Sequence, residues 1–174
     1  MKAIVIYTSQ TGFTRRYAEE IARRLECEVR TSTGLIDPHL EAYDTVIYGG
    51  WLRGGAVMDL VKLRRRFEGK RLIVFTVGST VYSEGLVERL RVQNGVEDIP
   101  FFYLRGGLQL EKLSFVYRQM LKSVQKALAK KKDAQPEEIE MARMLGASFD
   151  AVDLSLVEPI LAAARGEAEE KPSL

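Results

Sequence analysis

One cysteine is too few for an internal disulfide, and Cys27 and the lone His39 form no cluster that could hold a metal. No apolar run approaches the roughly 18 residues of a membrane span. Met1-Lys2 leads straight into a five-residue apolar stretch, which is not the shape of a signal peptide. These absences together point to a cytoplasmic protein. Clustered basic residues with interleaved aromatics in a recognisable module are also missing, so no nucleic-acid partner is expected. His39 reads as a surface loop residue.

What is present suits one globular domain. Apolar residues make up 46% and charged residues 29% of 174 positions, enough to build a sizeable core. The net charge of +2 is unevenly spread: Arg64-Arg65-Arg66 and Lys130-Lys131-Lys132 are basic, and Glu167-Ala168-Glu169-Glu170 is acidic. Such runs usually form solvated faces.

Four short apolar runs, Ala3–Tyr7, Thr45–Tyr48, Leu72–Val77 and Phe101–Leu104, are continuous rather than alternating. That is the pattern of strands buried on both faces in a parallel sheet. Glu26–Thr31 alternates and suits an edge strand. Helical patterns lie between: Thr14–Leu25, a short turn opened by Asp37-Pro38, Val57–Phe67, and Glu84–Val92 closing at Asn94-Gly95. The alternation predicts a doubly wound α/β domain over residues 1–165, with a flexible tail at 166–174. After Gly107 the pattern changes. A helical insertion at about 109–150 carries one long basic helix over Glu111–Lys132 and a second over Glu137–Leu145. A last helix is expected to start at the capping box Ser155-x-x-Glu158.

Ligands of open α/β sheets sit beyond the carboxyl ends of the strands. Three loops would meet there. Ser9-Gln10-Thr11-Gly12-Phe13-Thr14 has neither the G-x-G-x-x-G spacing of a dinucleotide site nor the lysine of a Walker loop. Its hydroxyls, free amides and helix amino end suit a single phosphate monoester. Gly49-Gly50-Trp51-Leu52-Arg53-Gly54-Gly55 sets the only tryptophan between glycine pairs, and Gly78-Ser79-Thr80-Val81-Tyr82-Ser83 adds another aromatic. A phosphate cradle beside two aromatic-bearing loops describes a site for a flat ring on a phosphorylated chain, namely flavin mononucleotide (FMN). Ser9, Gln10, Thr11, Gly12, Phe13 and Thr14 would hold the phosphate. Gly50, Trp51, Leu52, Arg53, Gly78, Ser79 and Tyr82 would frame the ring. Arg53 near the ring would stabilise the negative charge of reduced flavin. No acid–base pair or nucleophile is visible, so no catalytic side chain is named.

Ser9-x-Thr11-Gly12-x-Thr14 after the first strand resembles the phosphate loop of the flavodoxin superfamily. Trp51 and Tyr82 fall in the two loops that flank the flavin in that family. The resemblance covers about residues 1–108 and resumes at the last helix. It implies a flavodoxin-like five-stranded sheet in the order 2-1-3-4-5, with non-covalent FMN and flavin-mediated electron or hydride transfer. Two features depart from electron-carrier flavodoxins: the slightly basic charge and the basic insertion after Phe101-Phe102-Tyr103-Leu104-Arg105-Gly106-Gly107. Both resemble the flavodoxin-like protoporphyrinogen IX dehydrogenases, which pass electrons to membrane quinones. An FMN-dependent oxidoreductase of that kind, with a quinone or small-molecule substrate, is therefore one expectation. An electron carrier docking to a redox partner protein is the other. The basic helix 111–132 has three readings. It packs on the domain or on a second subunit in a homodimer, lies peripherally on the inner face of an anionic membrane, or caps the flavin as a lid.

Overall fold

Continuous apolar runs become central strands because helices cover both of their faces. The computed structural model describes residues 2–35, 40–133, 139 and 142–167. The strands are β1 (Ala3–Thr8), β2 (Glu28–Thr31), β3 (Thr45–Arg53), β4 (Ala56–Val57), β5 (Arg71–Gly78) and β6 (Phe101–Arg105). The main five run parallel in the order β2-β1-β3-β5-β6, which is the expected 2-1-3-4-5 arrangement. The helices are α1 (Phe13–Leu25), α2 (Leu60–Arg64), α3 (Glu84–Asn94), α4 (Phe115–Lys130) and α5 (Glu158–Arg165).

The core has two halves, one on each face of the sheet. Val5, Ile47, Ile73 and Phe75 meet Tyr17 and Ile21 of α1 and Ile160 and Leu161 of α5. Ile4, Ile6, Val46, Tyr48 and Val74 meet Leu60 and Leu63 of α2 and Leu90 of α3. α1 presents Tyr17, Ala18, Ile21 and Ala22 as one buried stripe. It ends where Glu26 turns left-handed, at φ 51°, and Cys27 N–H donates back to the Ala22 carbonyl at 3.0 Å. The Tyr17 hydroxyl ties three segments together: it donates to the Arg105 carbonyl (2.6 Å) and accepts from Asp153 N–H (3.0 Å).

Cys27 is half-buried beyond that turn, and burial pushes its thiol from the ordinary 9.0 to about 11. Thiolate is the reactive form. Alkylation at pH 8 should therefore run at least about tenfold slower than for a free thiol. Equal rates would contradict the burial. The linkage has a sign. An acid whose pKa rises on folding adds stability below its unfolded value, and that contribution disappears as the pH climbs through about 11.

Several elements differ from the sequence expectation. β3 does not stop at Tyr48 but runs on through Gly49 to Arg53, so the expected tryptophan loop is mostly strand. Gly54 and Gly55 both have positive φ (58° and 82°) and make a two-residue hairpin that pairs Leu52 with Val57 and Arg53 with Ala56. Asn94 locks that hairpin, accepting from Val57 N–H (2.8 Å) and donating to the Gly55 carbonyl (2.9 Å). The helix expected over Val57–Phe67 is therefore shortened to α2 and a 3₁₀ turn at Arg65–Phe67.

The insertion is not all helical. β7 (Gly107–Leu108) and β8 (Phe149–Asp150) pair antiparallel at its base. The long helix expected from Glu111 is a 3₁₀ turn at Leu110–Lys112, an extended Leu113, and then α4. The Ser114 hydroxyl caps α4 by accepting from Tyr117 N–H at 3.3 Å. α4 buries none of its residues; Phe115 is 67% and Val116 77% exposed. The expected capping box does not form. Asp153 accepts from both the amide and the hydroxyl of Ser155 and caps a 3₁₀ turn, Leu154–Val157, ahead of α5. Pro159 does sit in the first turn of α5. In the helix expected over Glu137–Leu145, residues 139 and 142–144 are helical. Leu145 is already in a turn, and residues 137, 138, 140 and 141, with Asp37-Pro38, His39 and the tail from 168, lie outside the described residues. Among the described residues no helix is long and apolar enough to cross a membrane.

Candidate functional site

The carboxyl ends of β1, β3 and β5 open into one cleft, and the segment after β6 walls its far side. At the β1 end, Gly12 takes φ +101° and forms the amino cap of α1. An L side chain there would be strained, which explains the glycine. Ser9 Oγ accepts from Gly12 N–H at 3.1 Å and holds the turn closed. No side chain caps α1 and no acidic residue lies in its first turn, so its positive end is left uncompensated.

Ser9, Gln10, Thr11, Phe13 and Thr14 all line the cleft. Thr14 is 1% exposed. Phe13 is an anchor: its ring runs along Gly106 and Gly107, where a Cβ would fall 3.2 Å and 2.7 Å from its carbons. The strand ends beneath are pinned by a polar knot absent from the sequence expectation. Thr8 Oγ1 lies 2.7 Å from Ser32 Oγ and 2.9 Å from the Tyr48 hydroxyl, and donates to Asp59 Oδ2 (3.1 Å). Burial pushes the Tyr48 phenol well up, with the Thr8 hydrogen bond acting against it.

From β3, Trp51 and Leu52 line the cleft, as do Gly78 and Ser79 after β5. Gly50 does not; a Cβ there would meet Val57 Cγ1 at 2.6 Å, so its missing side chain serves the hairpin rather than a ligand. Gly78 makes room for Tyr103 in the same way. The Tyr103 hydroxyl would lie 2.7 Å from a Cβ at Gly78, and it donates to the Thr80 carbonyl at 2.6 Å. Burial pushes that phenol up to about 12. Arg53 is exposed and stands outside the lining, close enough to Tyr117 for its charge to oppose the rise that burial imposes on that phenol. Tyr82 also stands outside the lining and is 39% exposed.

The far wall comes from residues that the motif reading did not single out as ligands: Gln109, Leu113, Tyr117, Leu121 and Leu145. Leu113, Tyr117 and Leu121 recur every four residues, and that row was the available signal. Tyr117 meets Trp51 edge-on, with ring centroids 6.2 Å apart and planes at 75°. The carbonyl oxygen of the Gln109 side chain is buried and has no hydrogen-bond partner among the described residues. The free space between these walls is about 120 Å³. Among the described residues none that lines it is acidic or basic. An uncharged cradle of hydroxyls at an uncapped helix end can take a phosphate, and the aromatic and aliphatic remainder can take an apolar ring. The donor set therefore fits FMN.

A flavodoxin domain family matches residues 4–135. No curated protein matches the chain. Among solved structures, the chain is similar to oxidised flavodoxin 2 from Bacillus cereus, at 19% identity over 84% of this chain and 98% of that one, with a TM-score of 0.42. It is similar to two-electron reduced Megasphaera elsdenii flavodoxin at 14% identity over 82% and 97%, TM-score 0.42. A flavoprotein in complex with FMN from Lactobacillus acidophilus NCFM is 13% identical over 60% and 92%, TM-score 0.40. These three likenesses are remote.

Proposed function

The chain belongs to the flavodoxin domain family, and on that premise we propose that it is an oxidoreductase that binds FMN in this cleft. One observation carries the reading: the hydroxyl-lined, uncapped start of α1 and the only tryptophan wall the same cleft. Ser9, Thr11 and Thr14, with the first amides of α1, would bind the phosphate. Trp51, Leu52 and Ser79 would hold the ring. FMN, when bound, supplies transfer of one or two electrons. The chain's own part is to fix the ring's place, exclude water with Leu113 and Leu121, and keep charged side chains out of the lining. Arg53 at the rim favours negative charge nearby.

An apolar wall beside the ring suits a poorly soluble, largely apolar donor or acceptor, such as a quinone or a porphyrinogen. That supports an oxidoreductase of the protoporphyrinogen dehydrogenase type over a carrier. A carrier is the second reading, and a measured midpoint potential in the range of low-potential shuttles would favour it.

Titration of the purified chain with FMN and with riboflavin tests the cofactor. FMN is expected to bind at least about tenfold more tightly, because only FMN can use the charge-assisted hydrogen bonds of the cradle. Equal affinity, or no uptake of either, would remove FMN from the reading.

A further inference from the structure

The two aromatics expected to frame the ring have separated. Trp51 lines the cleft, while Tyr82 stands half-exposed outside it. Tyr117 of the insertion occupies the position facing Trp51 instead. Four residues to either side, Leu113 and Leu121 extend the same wall. Gln109 lines that wall too, and its side-chain oxygen is a buried acceptor without a donor among the described residues. A buried, unpartnered carbonyl costs stability unless something supplies an N–H.

Two rings in edge contact at 6.2 Å leave no slot for a third ring, which needs two stacking distances of about 3.5 Å. The cleft's 120 Å³ is likewise below the roughly 300–1,000 Å³ of small-molecule sites. The wall must therefore draw back to admit a cofactor. α4 is suited to that, since it buries none of its own residues and so has few contacts to break.

We propose that Tyr117 and Gln109, rather than Tyr82, are the ring-contacting residues of the far wall, so that the segment 109–121 is part of the cofactor site. This rests on the FMN reading above. The Tyr117 ring leaves the edge of Trp51 and packs on the flavin, and the Gln109 oxygen accepts the N–H of the ring's pyrimidine half. The helix α4 is thereby a hinged wall whose position reports occupancy.

The test uses the full chain, stripped of flavin and titrated with FMN, with Trp51 emission and flavin quenching both recorded. Tyr117→Ala is expected to raise the Kd about tenfold, from the loss of ring contact area and stacking. Tyr117→Phe keeps the ring and should stay within about twofold of wild type. Gln109→Leu should raise the Kd about fivefold, one hydrogen bond's worth, and Tyr82→Ala should change it less than about twofold. In the flavin-free protein Tyr117→Ala should also shift the emission of Trp51, and Tyr82→Ala should leave it alone. Circular dichroism and melting of each variant establish that it is folded. A Kd for folded Tyr117→Ala within twofold of wild type overturns the inference and leaves FMN binding standing. An unchanged Gln109→Leu removes Gln109 from it. A wild-type chain that takes up no FMN overturns both together.

Discussion

Thr11→Asp is expected to weaken FMN binding about a hundredfold or more while leaving riboflavin binding unchanged. Thr11 lines the cradle just before Gly12, where the amino end of α1 is uncapped and its first turn carries no acid. A carboxylate there would face the phosphate across roughly 5 Å, and at an effective dielectric near 20 one such pair of charges repels by about 3 kcal/mol. That is more than two orders of magnitude in Kd. The same carboxylate complements the helix dipole, so the flavin-free variant should be as stable as wild type or more so, by about 0.3–1 kcal/mol. The two effects have opposite signs, and general damage to the fold would not produce that pattern. Titrations with both ligands and a urea melt check it. An FMN affinity within threefold of wild type would mean the phosphate lies elsewhere.

Gly49→Val should cost at least about 3 kcal/mol of stability. Gly49 pairs with Phe75 across β3 and β5, and both are fully covered in the middle of the sheet. A Cβ on Gly49 would fall 2.0 Å from Phe75 Cζ and 2.5 Å from each Cε, so the ring already fills the place of a side chain. Phe75 is 0% exposed among Val5, Ile47, Ile73 and the helices α1 and α5, and has no free volume to move into. Glycine is ordinarily a poor strand residue, and here an aromatic on the neighbouring strand compensates for it. Denaturant unfolding would register the loss. A double-mutant cycle with Phe75→Leu should show strong coupling, because the shorter side chain removes the colliding atoms. Additive losses would argue against the contact as the cause.

That glycine also shows where sequence reasoning stopped. β1, β5 and β6 were legible because Ile4-Val5-Ile6, Ile73-Val74-Phe75 and Phe101–Leu104 are apolar enough to announce burial on both faces. Gly49-Gly50 read as the start of a loop because nothing local reveals Phe75 on the next strand or Val57 in the hairpin. Gly54-Gly55 did carry a local signal, a glycine pair at two-residue hairpin length, and it was absorbed into the supposed loop. Ser155 and Glu158 matched a capping pattern, but Asp153, two residues before Ser155, supplies a better acceptor for its amide. The part of the cleft lined from Ser9 to Thr14 was legible since it is contiguous in the chain. The aromatic wall opposite was not, because Trp51 meets Tyr117 across 66 positions of chain and only folding decides which aromatic arrives.

The short ribbon of β7 and β8 has a consequence for how this chain can be altered. It sets Gly107 opposite Asp150 and Leu108 opposite Phe149, so the whole of 109–148 leaves and rejoins the domain at adjacent points. Ser148 Oγ reinforces the junction by accepting from Leu110 N–H and donating to Glu111. To the sheet, the insertion is therefore no more than a hairpin loop, because the path from β6 to α5 is the same whatever lies between the ribbon's two strands. Its length and chemistry can therefore be altered without rerouting the strands and helices of the core. The insertion is in this sense a cassette, mounted on a sheet whose own strands and helices need not change with it.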